Sequence, residues 1–190
     1  MLGGFCAVAG GGGAPYQAGM FRNALLLAAL LLPFAAQAQQ RAAQQPQRLG
    51  NHGSWTAATA QESGQKVCYA FARAGRSENG PQNRQAVTLT VTHRPAGRDQ
   101  VAISVGYPLP RQAESVLSVG TTEFRSYGVV QMSAFFQNTP AMIGAFRSGR
   151  DAVVRSPGPP GRPAVTDNFP LAGFAAAYEA ISRECPAPRR

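Results

Sequence analysis

The chain has 190 residues, 44% of them hydrophobic, with 18 Lys and Arg against 9 Asp and Glu, giving a formal net charge of +9. That length and apolar content suit one domain with a real hydrophobic core, and three cysteines with two histidines offer no zinc-ligand spacing. The basicity raises nucleic acid as a partner, a class that the export signal described next argues against.

The run Met20-Phe21-Arg22-Asn23, the apolar stretch Ala24 to Phe34 and Ala36-Gln37-Ala38 are the three regions of a secretory signal peptide, with cleavage expected after Ala38. Residues 1–38 therefore read as leader and signal. Leu25 to Leu32 is too short to span a bilayer core, which needs about 20 apolar residues, so no transmembrane segment is expected. No Cys follows the cleavage site, which argues against a lipid anchor. Gly10 to Gly13 lacks the Gly-Lys-Ser/Thr of a phosphate loop and precedes the signal. The remaining anions open to a basic exported chain are lipid phosphates, lipopolysaccharide, cell-wall carboxylates and acidic proteins.

Gln39 to Ser54 is rich in Gln and poor in large apolar residues, so it reads as a flexible tether of residues 39–54. The folded domain is expected over 55–185, with 186–190 as a tail. Trp55 opens the first strand. Val67 to Ala74 is apolar on both faces, which suits a central strand. In Val87 to His93, Val87, Leu89, Val91 and His93 alternate with threonines, the period of a half-buried strand. Val101 to Val105 repeats the alternation, and the two runs form a hairpin around a loop of Pro95 to Asp99. Ser115 to Val119 and Thr122 to Tyr127 read as shorter strands.

Pro140 to Gly149 places Met142, Ile143 and Phe146 at helical spacing, with Gly149 at the C-terminal end. Ala152 to Arg155 reads as a strand. Ser156 to Pro163 holds four prolines in eight residues and must be a loop. Val165 to Phe169 is a last strand. Pro170 then sits at the start of a helix whose stripe Leu171, Phe174, Tyr178, Ile181 and Cys185 faces the sheet over about four turns.

Loss of Cys6 with the leader leaves Cys68 and Cys185, a lone pair in an oxidising compartment that reads as a disulfide. A reactive thiol would need a basic neighbour or Cys-x-x-Cys spacing to lower its pKa, and neither is present. His93, beside Arg94 and with Asp99 across the turn, is the one candidate general base, yet no recognisable motif sets a Ser or Cys nucleophile next to it. Its place in phase with the apolar strand face favours a role in the fold. His52 lies in the tether. Arg147, Arg150, Arg155 and Arg162 fall within sixteen residues and form a candidate anion-binding patch. No metal site and no cofactor are expected.

The ordered set Trp55, Cys68-Tyr69, His93-Arg94-Pro95, Val105-Gly106-Tyr107-Pro108-Leu109, Ile143 to Gly149 and Thr166-Asp167-Asn168-Phe169-Pro170-Leu171-Ala172-Gly173-Phe174, running to Cys185, resembles the invasion-associated locus B family of alphaproteobacterial envelope proteins. The resemblance covers nearly all of Trp55 to Cys185. It implies an exported periplasmic or outer-envelope protein with a mainly β fold and no established active site. The family position of His93 more usually holds Asn.

The combined expectation is a mainly β domain, an antiparallel β-sandwich or partly open barrel with a short helix and a C-terminal helix packed on the sheet. Its expected role is non-enzymatic binding or structural support in the periplasm or outer envelope, with envelope components, anionic lipid or lipopolysaccharide as partners. A secreted or surface factor in host-cell interaction and a periplasmic hydrolase using His93 are the alternatives.

Overall fold

The computed structural model describes residues 45–137 and 139–188. The leader, the cleavage site and the first part of the expected tether lie outside the described residues. Eleven strands and two helices follow in the order β1 (Gln47–His52), β2 (Trp55–Glu62), β3 (Gln65–Arg73), β4 (Arg76–Glu78), β5 (Thr88–Arg94), β6 (Gly97–Ser104), β7 (Val116–Val119), β8 (Thr122–Val130), β9 (Ser133–Phe136), α1 (Thr139–Ser148), β10 (Asp151–Ser156), β11 (Val165–Pro170) and α2 (Phe174–Glu184). The strands join in the order β1-β2-β3-β5-β6-β9-β8-β7-β10-β11-β4. Every pair is antiparallel. The sheet is not closed and is sandwich-like, in line with the expected fold class.

Two stretches turn the sheet over on itself. The first half of β8 pairs with β7 and its second half with β9, across a register shift between Ser126 and Gly128. The chain leaving β3 changes neighbours in the same way. Gly75 N–H donates to the Asn168 carbonyl at 2.8 Å, and β4 then pairs with β11. The enclosed core takes the alternate residues of the strands, among them Leu89, Val91, Ile103, Leu117, Val154 and Phe169.

The helices close this core with a knot of aromatic rings. Phe146 of α1 and Phe174 of α2 meet edge to face at 5.2 Å, and Trp55 stands edge-on to Phe174 at 4.9 Å. Such geometry pairs the positive ring edge with the negative face. The Trp55 indole N–H, fully buried, donates to the Pro170 carbonyl at 3.0 Å. One step on, Gly173 adopts φ 92° and its backbone lies against the His52 carbonyl, where any Cβ would collide. Ser54 N–H donates to the Ala172 carbonyl at 3.1 Å. The β1–β2 turn is thus clamped to the turn that precedes α2.

Several expectations need correction. Residues 47–52 of the expected tether form β1, because pairing with β2 satisfies the backbone and Leu49 packs on the core, so a single large apolar side chain suffices. His52 ends that strand, half-buried, instead of lying in a solvated tether. Trp55 therefore opens the second strand. The β5–β6 turn is tighter than expected, with Arg94 paired to Gly97 and a bulge beside it, while Asp99 takes the left-handed φ of 56°. Pro170 ends β11 and does not start the helix; α2 begins after Gly173 and runs 11 residues, about three turns. β4 and β9 had no counterpart in the sequence reading. Among the described residues no helix is long and apolar enough to cross a membrane.

Candidate functional site

Cys68 and Cys185 are joined, with Cα atoms 6.0 Å apart. That separation lies within the ordinary range for a disulfide. The bond ties the C-terminal end of α2 to β3, as the apolar stripe on the helix requires. Directly across from Cys68 on β5 stands His93, 1% exposed.

His93 sits in a hydrogen-bonded cluster that joins three elements. Its Nε2 lies 3.1 Å from Ser182 Oγ on α2, and its Nδ1 accepts from the Asp99 backbone N–H at 3.3 Å. The Asp99 carboxylate is 3.6 Å from Nδ1 and accepts from the Tyr178 hydroxyl at 2.6 Å. Tyr178 also stands edge-on to the imidazole at 5.3 Å. Ser, His and Asp are therefore together, as in a hydrolytic triad.

The contact at Nδ1 favours the tautomer opposite to the one that chemistry needs. A backbone N–H pointing at Nδ1 needs a lone pair there, which puts the imidazole proton on Nε2, donating to Ser182. A general base needs the reverse, a bare Nε2 toward the serine and Nδ1–H toward the carboxylate. Burial, and then the Arg98 charge, push the His93 pKa below its usual value, with Asp99 opposing. Burial and the bond to Asp99 raise that of Tyr178.

A pH dependence follows from the lowered pKa. The unfolded chain binds the His93 proton more readily than the folded one, so the stabilisation is complete above the ordinary histidine value of about 6.5 and is lost as pH falls below it. His93→Asn, which keeps a donor toward Ser182, should fold and should flatten the acid-side slope of melting temperature against pH. Superimposable profiles for the two proteins would refute a buried neutral His93.

Beside the cluster lies a cavity of about 290 Å³, lined by Lys66, His93, Arg94, Pro95, Arg98, Glu184, Cys185, Pro186 and Pro188. Lys66 pairs with Glu184 at the surface. Arg94 Nε lies 2.7 Å from Glu62 and the guanidinium also reaches Gln100. Arg98 donates to the Cys185 carbonyl and to Ser182 Oγ, a cation placed at the negative end of α2. Pro186 and Pro188, expected only as part of a tail, line this cavity.

The four arginines singled out in the sequence do not meet in one cavity. Arg147 lies over the Tyr178 ring at 4.9 Å. Arg150 is 96% exposed, 3.6 Å from Asp151. Arg155 is on the exposed face of β10. Arg162 lines a cavity of about 630 Å³ with Arg84 and Tyr107, apart from the cavities that Arg150 lines. The basic residues that do converge, Lys66, Arg94 and Arg98, come from three adjacent strands. Of these, the sequence signal pointed only to Arg94, through its place beside His93.

A second buried polar group had no sequence signal. Asp167, fully buried on β11, takes Arg84 through Nη2–Oδ1 at 2.5 Å and Nη1–Oδ2 at 3.1 Å, and accepts from Ser77 at 2.6 Å. Tyr107 beside it donates to the Pro157 carbonyl at 2.9 Å, and its pKa is pushed up to about 12 by burial first and then by Asp167. Among the described residues, no group of three or more His, Cys, Asp and Glu is placed to hold a metal ion.

A family model described as "Invasion associated locus B (IalB) protein" matches residues 55–182. A solved structure, the crystal structure of invasion associated protein B from Bartonella henselae, is 21% identical, with a TM-score of 0.49, covering 71% of this chain and 95% of that one. No curated protein matches.

Proposed function

The chain belongs to the invasion associated locus B family, and on that premise we propose that it is an exported envelope protein that binds or supports other components without catalysing a reaction. The observation that supports the non-enzymatic part is the Asp99 backbone N–H at His93 Nδ1, which favours the tautomer opposite to the one a general base needs. Export rests on the tripartite segment from Met20 to Ala38. On this reading residues 1–38 are removed, a short linker precedes β1, and a single domain follows. The partners are envelope components that carry negative charge, suited to the formal net charge of +8 that remains from +9 when Arg22 leaves with residues 1–38.

Fractionation with intact-mass analysis tests the proposal. The expected result is a periplasmic chain that begins at Gln39. A cytoplasmic product retaining residues 20–38 would overturn the location and the partners that depend on it.

A further inference from the structure

We infer that the cavity between the β5–β6 turn and the end of α2 binds a phosphate group, held by Lys66, Arg94 and Arg98 and reported by His93. Three strands deliver the cations: Lys66 from β3, Arg94 from β5 and Arg98 from β6. One carboxylate, Glu184, lines the same space. Among the described residues Arg98 makes hydrogen bonds to a carbonyl and a hydroxyl and no ion pair. Lys66 and Arg94 are themselves paired, with Glu184 and Glu62, so the contrast with the other cavities lies at Arg98. Arg150 shares its space with Asp151, and Arg84 beside Arg162 is already bound to buried Asp167.

The choice of phosphate follows from the arrangement of donors. A carboxylate presents two oxygens in one plane, whereas cations arriving from three strands match an anion with oxygens in three directions. Pro95, Cys185, Pro186 and Pro188 form an apolar wall, which lowers the local dielectric and strengthens each charged contact.

His93 gives the site a built-in reporter. The charged and titratable groups that face it are Arg94 on its own strand, Arg98 and Asp99 on β6, Tyr178 and Glu184 on α2, and Lys66 on β3. An anion against Arg98 offsets the charge that disfavours the imidazolium, so binding and protonation of His93 support one another. His52, the other histidine, lies at the opposite end of α2, against Gly173, and serves as the internal reference.

The test uses the purified, disulfide-bonded protein with inorganic phosphate at constant ionic strength. Imidazole resonances should show the His93 midpoint rising by about 0.5 to 1 pH unit, with His52 unmoved. By calorimetry, Arg98→Gln and Lys66→Gln should each weaken phosphate binding by about tenfold. Glu184→Gln, which removes the carboxylate competing for Lys66, should tighten it by about threefold. Arg155→Gln makes the same charge change on a distant sheet face and should have no effect.

Equal shifts at both histidines, or an Arg155 variant as weak as the Arg98 variant, would reduce the effect to general charge attraction and overturn the site. The exposed Lys66 variant keeps the test valid if loss of Arg98 impairs folding. Vesicles bearing phosphatidic acid separate a lipid headgroup from a free ligand. Their binding should be displaced by inorganic phosphate, and binding that resists displacement belongs to another surface. This extends the binding role proposed above. A cytoplasmic location would overturn that proposal and leave this one standing, while failure to bind phosphate does the reverse.

Discussion

Replacing Cys68 or Cys185 by Ser is expected to lower stability by about 2 to 5 kcal/mol. The bond closes a span of 117 residues, for which the chain-entropy relation gives about 5 kcal/mol. Cys68 is fully buried. The end of α2 keeps two further ties, Lys66 with Glu184 and Arg98 with the Cys185 carbonyl, so the variants should still fold. Because either substitution removes the whole bond, the double variant should cost little more than a single one. Urea unfolding of the oxidised protein and a thiol assay on its native state measure this. Titratable thiols at both positions, or single variants as stable as the parent, would remove the staple from the account.

The second large effect is expected at Asp167. Asp167→Ala leaves the Arg84 side chain, 8% exposed, with the Val105 carbonyl at 3.3 Å as its one hydrogen-bond partner among the described residues. Breaking a buried pair from one side costs about 3 to 5 kcal/mol, whereas replacing both partners with apolar residues of similar volume is often neutral. The double variant Arg84→Met, Asp167→Leu should therefore recover most of the loss. Denaturant midpoints for the three variants decide it. A single variant no worse than an ordinary surface change would show that the pair is solvated in solution.

That pair also shows where local pattern stops being informative. β5 and β6 are legible because each alternates apolar and polar residues, and the half-buried sheet needs nothing more. α2 is legible as a stripe, but its first residue is not. The helix start depends on Trp55 holding the Pro170 carbonyl and on Gly173 fitting against His52, contacts more than a hundred residues away in sequence. β4 has three exposed residues and no periodicity; it is a strand through its backbone pairing with β11, beside which Ser77 reaches Asp167. β1 has one large apolar residue and is fixed by its neighbour.

The site divides in the same way. The phase of His93 placed its side chain in the core, where the structure has it. Its partners, Ser182 and Arg98, come together only through the docking of α2, with Ser182 separated from His93 by 89 positions. Four arginines close in sequence looked like a patch and are dispersed, since a helix, a strand and a loop point them to different surfaces. Three basic residues further apart in sequence converge, because antiparallel pairing brings β3, β5 and β6 side by side.

The staple between β3 and the end of α2 also sets an order of events during synthesis. At roughly 5 to 20 residues per second, the 117 positions between the two cysteines separate their appearance by on the order of ten seconds. For that interval Cys68 has no Cys185 to pair with, so their bond cannot yet restrain the first strands. Closure is possible only once nearly the whole domain has been made. An oxidant acting early on the nascent chain has no correct intramolecular partner to offer Cys68, so its timing, as much as its strength, governs the yield of native protein.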